Sequence, residues 1–486
     1  MVKLTDLIGS LPEKKIFGPA DREISGIAYD SRTLRSGDLF VAIRGLQTDG
    51  HQFIPQAIEG GAAAVVVDRD EIYGSVPTVQ VEDSRKALAL LSARWFDHPA
   101  RKLRMVGITG TDGKTTTAYL IHAILQQAGF GAGLIGTVVT RIGEDEKPSF
   151  FTTPESLELH QALAQMVCRK ADFAVMEVSS HALAMDRVFG IPFELAIFTN
   201  LSRDHLDFHG DFEHYRDAKA LLFERLQGSR ARAVINLDDL SASFFQDKTN
   251  VPVITYSAED RADVFLKDAR LTMEGTDLEV RTPSGPLQMQ TRLLGRYNVF
   301  NTLAAIGAGV ALELDRETIR RGLEGIEGVD GRFETITVSQ GFTVIVDYAH
   351  TPQALQRLLS AVREMSPRRV LLIFGCGGDR DRGKRPEMAD VASQMADMVL
   401  LTTDNPRSED PLAILREVQR GILPGTDHEV IPDRREAIRR GLQLAGPGEV
   451  LVVAGRGHER YQVVGSERRP FQDRQVIAEE LEQLER

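Results

Sequence analysis

Cysteine is nearly absent from this chain of 486 residues: only Cys168 and Cys376 are present. Two thiols make neither a disulfide framework nor a zinc cluster, and they suit a reducing compartment. A basic excess is also missing, since 58 Lys and Arg face 70 Asp and Glu, a formal net charge of −12. That balance argues against general nucleic-acid binding. It leaves room for small anions, because a local cluster of Arg and Lys can bind phosphate within an acidic protein. No apolar run is long enough to span a bilayer, and the opening "MVKLTDLIGSLPEKK" lacks the apolar stretch of a secretory leader. There is no solenoid-type repeat and no low-complexity tract. The expectation is a cytoplasmic protein without nucleic-acid or membrane partners, with 42% hydrophobic residues to build its cores.

The length predicts three domains, at roughly 100–200 residues each. Residues 1–100 read as a small α/β unit, with strand-like runs in "SGIAYDSRTLRSGDLFVAI" and a helix followed by a buried strand in "FIPQAIEGGAAAVVVD". "DHPARKLR" reads as a linker. In residues 101–331 short apolar strands alternate with helical stretches, which argues for a mostly parallel sheet covered on both faces. A more polar, hairpin-like insertion is expected at about 263–292, before a helix entering from Asn298. Residues 332–486 restart the alternation as a second doubly wound, Rossmann-like sheet. The fold class is therefore α/β throughout.

The sharpest chemical signal is "GITGTDGKTTTAYLIHAIL", an apolar strand running into glycines, Lys114 and hydroxyls before an amphipathic helix. Backbone N–H groups at such a helix start cradle phosphates, a lysine reaches the β/γ-phosphates, and a threonine hydroxyl ligates Mg²⁺. The strict pattern asks for glycine at 108, where this chain has Ile108, with Gly107 one place early. Glu177, in "FAVMEVSS", falls at an expected strand C-terminus, where an acid can hold a nucleotide's metal or simply be solvated. Asp204, His205, Asp207, His209 and His214 crowd one short stretch, consistent with metal binding or proton transfer, or with a surface loop. In the last section, Arg380, Asp404, Arg407 and Glu459 would share one sheet edge if their strands are parallel. Two guanidiniums and two carboxylates can hold a zwitterion, or can pair with one another as a structural network.

These stretches together resemble the Mur ligases, ATP-dependent amide-bond-forming enzymes of peptidoglycan precursor synthesis. The resemblance covers nearly the whole chain, through "GTDGKTT" (110–116), "TTP" (152–154), "EVSSHAL" (177–183), "TNLSRDHLD" (199–207) and "YRDAK" (215–219). It continues through "GRYNVFN" (295–301), "GRFE" (331–334) and "DYAHTP" (347–352). The N-terminal "DSR…GDLFVA" and "DGHQFI" resemble the UDP-sugar-binding domain of the branch that adds the third amino acid, and "DNPR" (404–407) is typical of members using meso-diaminopimelate.

Carried over by motif, the resemblance implies ATP binding by Gly110, Thr111, Asp112, Gly113, Lys114, Thr115, Thr116, Asn298, Asn301, Arg332 and Asp347. Asn298 and Asn301 would lie near adenine, Asp347 near the ribose and Arg332 near the γ-phosphate. It implies Mg²⁺ held by Thr116, Glu177, His205 and Lys219, the last as a carbamylated lysine, with Lys114, Lys219, His205 and Arg332 carrying catalysis. Ser31, Leu46, Gln47 and Thr48 would lie near uridine, while Thr152, Thr153, Ser179, Met185 and Arg187 would contact the muramoyl-dipeptide. Diaminopimelate would meet Arg380, Asp404, Asn405, Pro406, Arg407, Gly455 and Glu459. Three positions depart from the family's usual residues: Met185 for Gln, Arg456 for Lys and Asp112 for Asn.

The implied reaction, by a monomer, activates the D-glutamyl γ-carboxylate of UDP-N-acetylmuramoyl-L-Ala-D-Glu as an acyl phosphate, which the amine of meso-diaminopimelate then attacks. The competing readings are a folylpolyglutamate synthetase, an ATP-hydrolysing switch, and a precursor-binding module without catalysis.

Overall fold

Runs such as Val65-Val66-Val67 and Val370-Leu371-Leu372-Ile373-Phe374 are apolar on both faces, and all are buried. Strands of this kind need cover on both sides, which parallel sheets flanked by helices supply. The computed structural model describes residues 1–45, 48–259, 261–272 and 275–484; Leu46 and Gln47, expected near uridine, lie outside the described residues. The chain forms two compact units.

The first unit comprises Met1–Phe265, Thr282–Ser284 and Leu303–Gly322 and carries an N-terminal sheet, strands of a larger central sheet, and a small antiparallel pair of Val2–Lys3 with Glu23–Ile24. The N-terminal sheet has the order Lys15–Phe17, Thr78–Gln80, Ala64–Val67, Asp38–Val41, Gly26–Ala28, parallel except for its first pair. One face packs on the helix Ser84–Trp95 through Leu88 and Leu91, and the other on Ile54 and Ala57. Asp83 caps that helix by accepting from the Arg85 and Lys86 amides. The central sheet runs Asp145–Pro148, Val139–Ile142, Ala132–Ile135, Phe173–Glu177, Arg104–Thr109, Phe193–Phe198, Arg232–Asn236, Val253–Ser257. Its edge is an antiparallel pair, and from Ala132–Ile135 onward the neighbours are parallel. The run "GAGLIGTVV" is thus two strands joined by a turn. The expected linker is a single 3-10 turn, Pro99–Arg101, entered through His98 in the left-handed region.

The second unit comprises Leu266–Arg281, Gly285–Thr302 and the chain from Leu323 onward. Its sheet has the order Glu334–Thr337, Thr343–Asp347, Val450–Ala454, Val370–Phe374, Met398–Leu401, His428–Val430. All neighbours are parallel except the first pair. Leu355, Leu358, Met388 and Ile414 cover one face, while Ala437, Ile438, Leu442 and Ile477 cover the other. This is the doubly wound arrangement, so the strand C-termini share one edge. The helix expected to start at Asn298 spans Arg296–Ala311, which places Asn298 in its first turn. The polar insertion is built of the strands Val264–Leu271, Thr276–Thr282 and Gly285–Thr291.

Candidate active site

In the first unit, Arg104–Thr109 delivers the chain into the loop Gly110–Gly113 and the helix Lys114–Gln127. Two glycines here do different jobs. Gly110 has φ +148°, and a Cβ on it would lie 1.9 Å from Thr199 Oγ1. Gly107 is a packing residue of the strand, where a Cβ would come within 2.8 Å of Leu222 and 2.9 Å of Phe193. The departure from the strict phosphate-loop pattern at 107 and 108 is therefore a matter of core packing, since Ile108 is buried in the strand.

The segment Thr199–Ser202 cages the loop. Thr199 Oγ1 donates to the Asp112 carbonyl at 2.7 Å, and the Asn200 side chain bonds both the amide and the carbonyl of Asp112. Thr111 Oγ1 meets the Tyr215 hydroxyl at 3.0 Å and accepts from the Ser202 amide. The Lys114 ammonium folds back on its own loop, donating to the carbonyls of Gly110 at 2.9 Å and Thr111 at 2.8 Å.

Glu177 ends its strand buried, where an isolated carboxylate would be costly. It accepts from the Thr137 amide at 2.7 Å, the Thr137 hydroxyl at 3.0 Å and the Thr115 hydroxyl at 2.9 Å. The hydroxyl that meets Glu177 is that of Thr115, not of Thr116, which was expected to be the metal-side threonine. Lys219 is buried on the helix Phe212–Glu224 and donates to the Gly110 carbonyl at 2.8 Å. Burial, reinforced by the charge of Lys114, pushes its amine well below the ordinary lysine value.

His205 sits at φ +53°, its ring 3.2 Å from Asp204 and edge-on to His181 with centroids 4.7 Å apart. Burial lowers the His205 pKa, and burial with neighbouring imidazoles pushes His181 down to about 4. The crowding of His and Asp in this stretch is partly structural, because Asp211 caps the following helix and bonds the His214 ring. Among the described residues no three His, Cys, Asp or Glu side chains converge as a ready cation cage.

Near this loop, Thr153 Oγ1 donates to the Glu177 carbonyl at 2.8 Å and accepts from the Ser179 amide, while Thr152 meets Thr137. Arg187 donates to the Thr153 carbonyl at 3.0 Å and touches Met185 Sδ at 3.8 Å. Glu155 lies 3.3 Å from Arg187 and 3.2 Å from Arg85 of the N-terminal sheet's helix. Tyr29 donates to Glu158 at 3.0 Å. These bridging residues were missed from sequence, though Glu155 directly follows the "TTP" motif. Ser31 bonds Gln56 at 3.1 Å, and Thr48 accepts from the Gly45 amide.

In the second unit, the edge of the doubly wound sheet gathers Asp347, Arg380, Asp404–Arg407 and Gly455–Glu459, because each follows a strand. Asp347 accepts from the Phe333 and Ala349 amides, and Arg332 stacks over Tyr348 at 4.8 Å. Asn298 and Asn301 bond each other at 2.9 Å, and Asn298 also bonds the Leu294 carbonyl, so both buried amides serve the helix start.

Gly455, at φ +110°, lets Asp404 approach: a Cβ there would lie 2.8 Å from Asp404 Oδ2. Asn405 donates to Glu459 at 2.6 Å and accepts from Arg456 at 3.0 Å and the Val463 amide at 2.8 Å. Its side chain therefore organises the loop. Burial, then the charge of Asp404, holds the Glu459 carboxyl above its usual range. Acids and guanidiniums in this arrangement have the chemistry to take an ammonium and a carboxylate, or to pair with one another.

A strand that ends in a glycine loop and a helix-borne lysine defines an α/β protein of the phosphate-binding class. Residues 23–96 match the model described as Mur ligase family, catalytic domain; 108–309 match Mur ligase middle domain; and 331–457 match Mur ligase, glutamate ligase domain. The chain is 43% identical to the UDP-N-acetylmuramoyl-L-alanyl-D-glutamate–2,6-diaminopimelate ligase of Bacillus velezensis over 99% of each chain. It is 44% identical to the protein of the same name from Syntrophomonas wolfei, again over 99% of each. A solved structure of a UDP-N-acetylmuramoyl-L-alanyl-D-glutamate–2,6-diaminopimelate ligase superposes on 100% of this chain and 99% of that chain, with TM-score 0.71 and 32% identity. The chain belongs to the Mur ligase family.

Proposed function

We propose that this protein joins meso-diaminopimelate to UDP-N-acetylmuramoyl-L-Ala-D-Glu at the expense of ATP, as a cytoplasmic monomer whose functional divisions fall at 1–100, 101–331 and 332–486. The observation that carries the reading is the sheet edge at which the Glu459 carboxyl feels the charges of both Asp404 and Arg407, in a chain whose full-length relatives are named as 2,6-diaminopimelate ligases. A carboxylate is a poor acyl donor, so ATP first converts the D-glutamyl γ-carboxylate into an acyl phosphate, releasing ADP. The amine of diaminopimelate then attacks the carbonyl carbon, the tetrahedral adduct expels phosphate, and the nitrogen loses a proton.

Lys114 leaves the carbonyls of Gly110 and Thr111 to follow the transferring phosphoryl group and spread its charge, and the γ-phosphate role of Arg332 is carried by its motif alone. Arg187, fixed by Thr153 and Glu155, meets a carboxylate of the nucleotide-linked dipeptide. Asn298, Asn301 and Asp347 take the nucleoside end of ATP on the strength of their motifs.

The Glu177 carboxylate and the Thr115 hydroxyl, 2.9 Å apart, are oxygen donors of the kind a hard cation takes, and His205 would join them on the strength of its motif alone. Lys219 fits once carbamylated, because its amine is held toward the neutral form that adds carbon dioxide and makes no ion pair among the described residues. Mg²⁺ bound there would neutralise phosphate charge.

The test is phosphate release with ATP, Mg²⁺ and UDP-N-acetylmuramoyl-L-Ala-D-Glu, comparing meso-diaminopimelate with L-lysine. Release that requires the nucleotide dipeptide and prefers diaminopimelate supports the ligase. Release indifferent to either amine points to an ATP-hydrolysing switch.

A further inference from the structure

Arg407 has φ +50°, a left-handed backbone that non-glycine side chains adopt at a cost and keep only when their surroundings impose it. What imposes it is a β-hairpin absent from every motif in the sequence. Tyr461–Val464 pairs antiparallel with Glu467–Pro470, and Val464 forms a parallel bridge with Arg407. The Arg407 amide donates to the Val463 carbonyl at 3.0 Å, and its carbonyl accepts from the Gly465 amide at 2.7 Å. Both backbone groups of the strained residue are thus spent on the hairpin. A two-stranded hairpin is marginal alone, and this one is gripped at its base by Arg456. That buried guanidinium donates to the carbonyls of Tyr461 at 2.8 Å and Phe471 at 3.1 Å, and to Asn405 Oδ1 at 3.0 Å.

Along the hairpin the Gln462 side chain reaches the loop's main chain, its Nε2 donating to the Asp404 carbonyl at 2.6 Å. The Arg407 side chain in turn donates through Nη1 to the Gly378 carbonyl at 2.7 Å. Its direction depends on a backbone that the hairpin sets.

We propose that the hairpin Tyr461–Pro470, acting through Gln462, is a specificity-determining element for the amine substrate: it is a splint that holds Asp404–Arg407 in the one conformation that presents Arg407 to the distal carboxylate of a diamino diacid. Gln462 is a positioning residue and touches no reacting atom. This inference rests on the ligase reading above and names the part of that site which separates a diamino diacid from a simple diamine.

The experiment measures kcat and KM of Gln462→Ala for meso-diaminopimelate, L-lysine, ATP and the UDP-linked dipeptide. Losing one hydrogen bond that orients the loop should raise the diaminopimelate KM by about tenfold. The preference over lysine should fall by the same factor, with the KM values for ATP and the dipeptide unchanged. Gln462→Lys, which restores a donor of similar reach, should recover much of the preference. Arg407→Ala should abolish the preference, and adding Gln462→Ala to it should change selectivity no further, because both act through one guanidinium.

If Gln462→Ala fails to fold, Gln462→Glu keeps the size and polarity, removes the donor, and carries the same expectation. An unaltered preference, additive losses in the double variant, or a uniform rise in KM for all substrates would each overturn the proposal. Wild-type phosphate release indifferent to diaminopimelate sinks this inference together with the ligase reading. A wild-type preference that survives replacement of Gln462 sinks this inference alone.

Discussion

The hydroxyl of Thr115 donates to the carboxylate of Glu177 at 2.9 Å, joining the phosphate loop to the end of the neighbouring strand. Glu177→Gln keeps the volume and can still accept from the Thr137 amide, but it loses the charge. Phosphate release should fall by about a hundredfold or more, the scale for weakening the hold on a cation that stabilises the transferring phosphoryl group. The unfolding temperature should move little. Activity close to wild type would remove Glu177 from the ATP site.

Glu155 joins Arg187, beside the "TTP" motif, to Arg85 of the N-terminal sheet's helix. Glu155→Gln should weaken the hold on Arg187 and raise the KM for the UDP-linked dipeptide by roughly tenfold, as for a lost charge-assisted contact. The KM for ATP should stay put. Steady-state kinetics with each substrate varied in turn would show this, and an equal rise for ATP would make Glu155 a general structural residue.

How much of this was legible in the sequence follows from what its motifs encode. Glycines, acids and arginines at strand ends reveal the sheet edges, because parallel strands terminate together, so Lys114, Glu177, Asp404 and Glu459 could be placed without coordinates. Choosing between Thr115 and Thr116 needs the rotation of the helix, since adjacent helical residues face different ways. The motif marks Asn405 as a ligand contact, but it does not encode that the same amide also bonds Glu459, Arg456 and Val463 and so organises the loop. The hairpin at Tyr461–Pro470 left no sign, because its strands have mostly exposed or half-exposed side chains without the alternation that marks a core-facing strand. Arg85 and Glu155 stand 70 positions apart, a pairing that only the tertiary fold creates.

His160 is buried, and among the described residues neither ring nitrogen has a hydrogen-bond partner. Burial, with a smaller contribution from His98, pushes its pKa down to about 4. A folded-state pKa below the unfolded value of 6.5 means that the unfolded chain binds the extra proton between those limits. Stability associated with neutral His160 is therefore full above pH 6.5 and is lost as pH falls toward 4. The loss amounts to at most roughly 3 kcal/mol. His160→Leu should flatten that part of the curve, which thermal unfolding at several pH values would show. An unchanged acid slope would assign the sensitivity to other groups, such as His122, also pushed to about 4 by burial.

Lys219 poses the strongest test of the proposed chemistry. A buried ammonium whose one hydrogen bond among the described residues is to the Gly110 carbonyl is an expensive group to keep in a fold. Tyr215 adds a ring face 4.6 Å away, which favours charge only weakly. Conversion to a carbamate turns the amine into an anionic oxygen ligand and removes the unpaired cation. The wild-type protein should therefore take up a label from isotopic bicarbonate, visible as a carbamate carbon by NMR, whereas Lys219→Ala should not. The same variant should lose most of its phosphate release, and added bicarbonate should not restore it, because no amine remains to modify. Near-normal turnover by Lys219→Ala would sink the carbamate assignment. An unlabelled but fully active wild type would leave Lys219 as a neutral amine that anchors the Gly110 carbonyl.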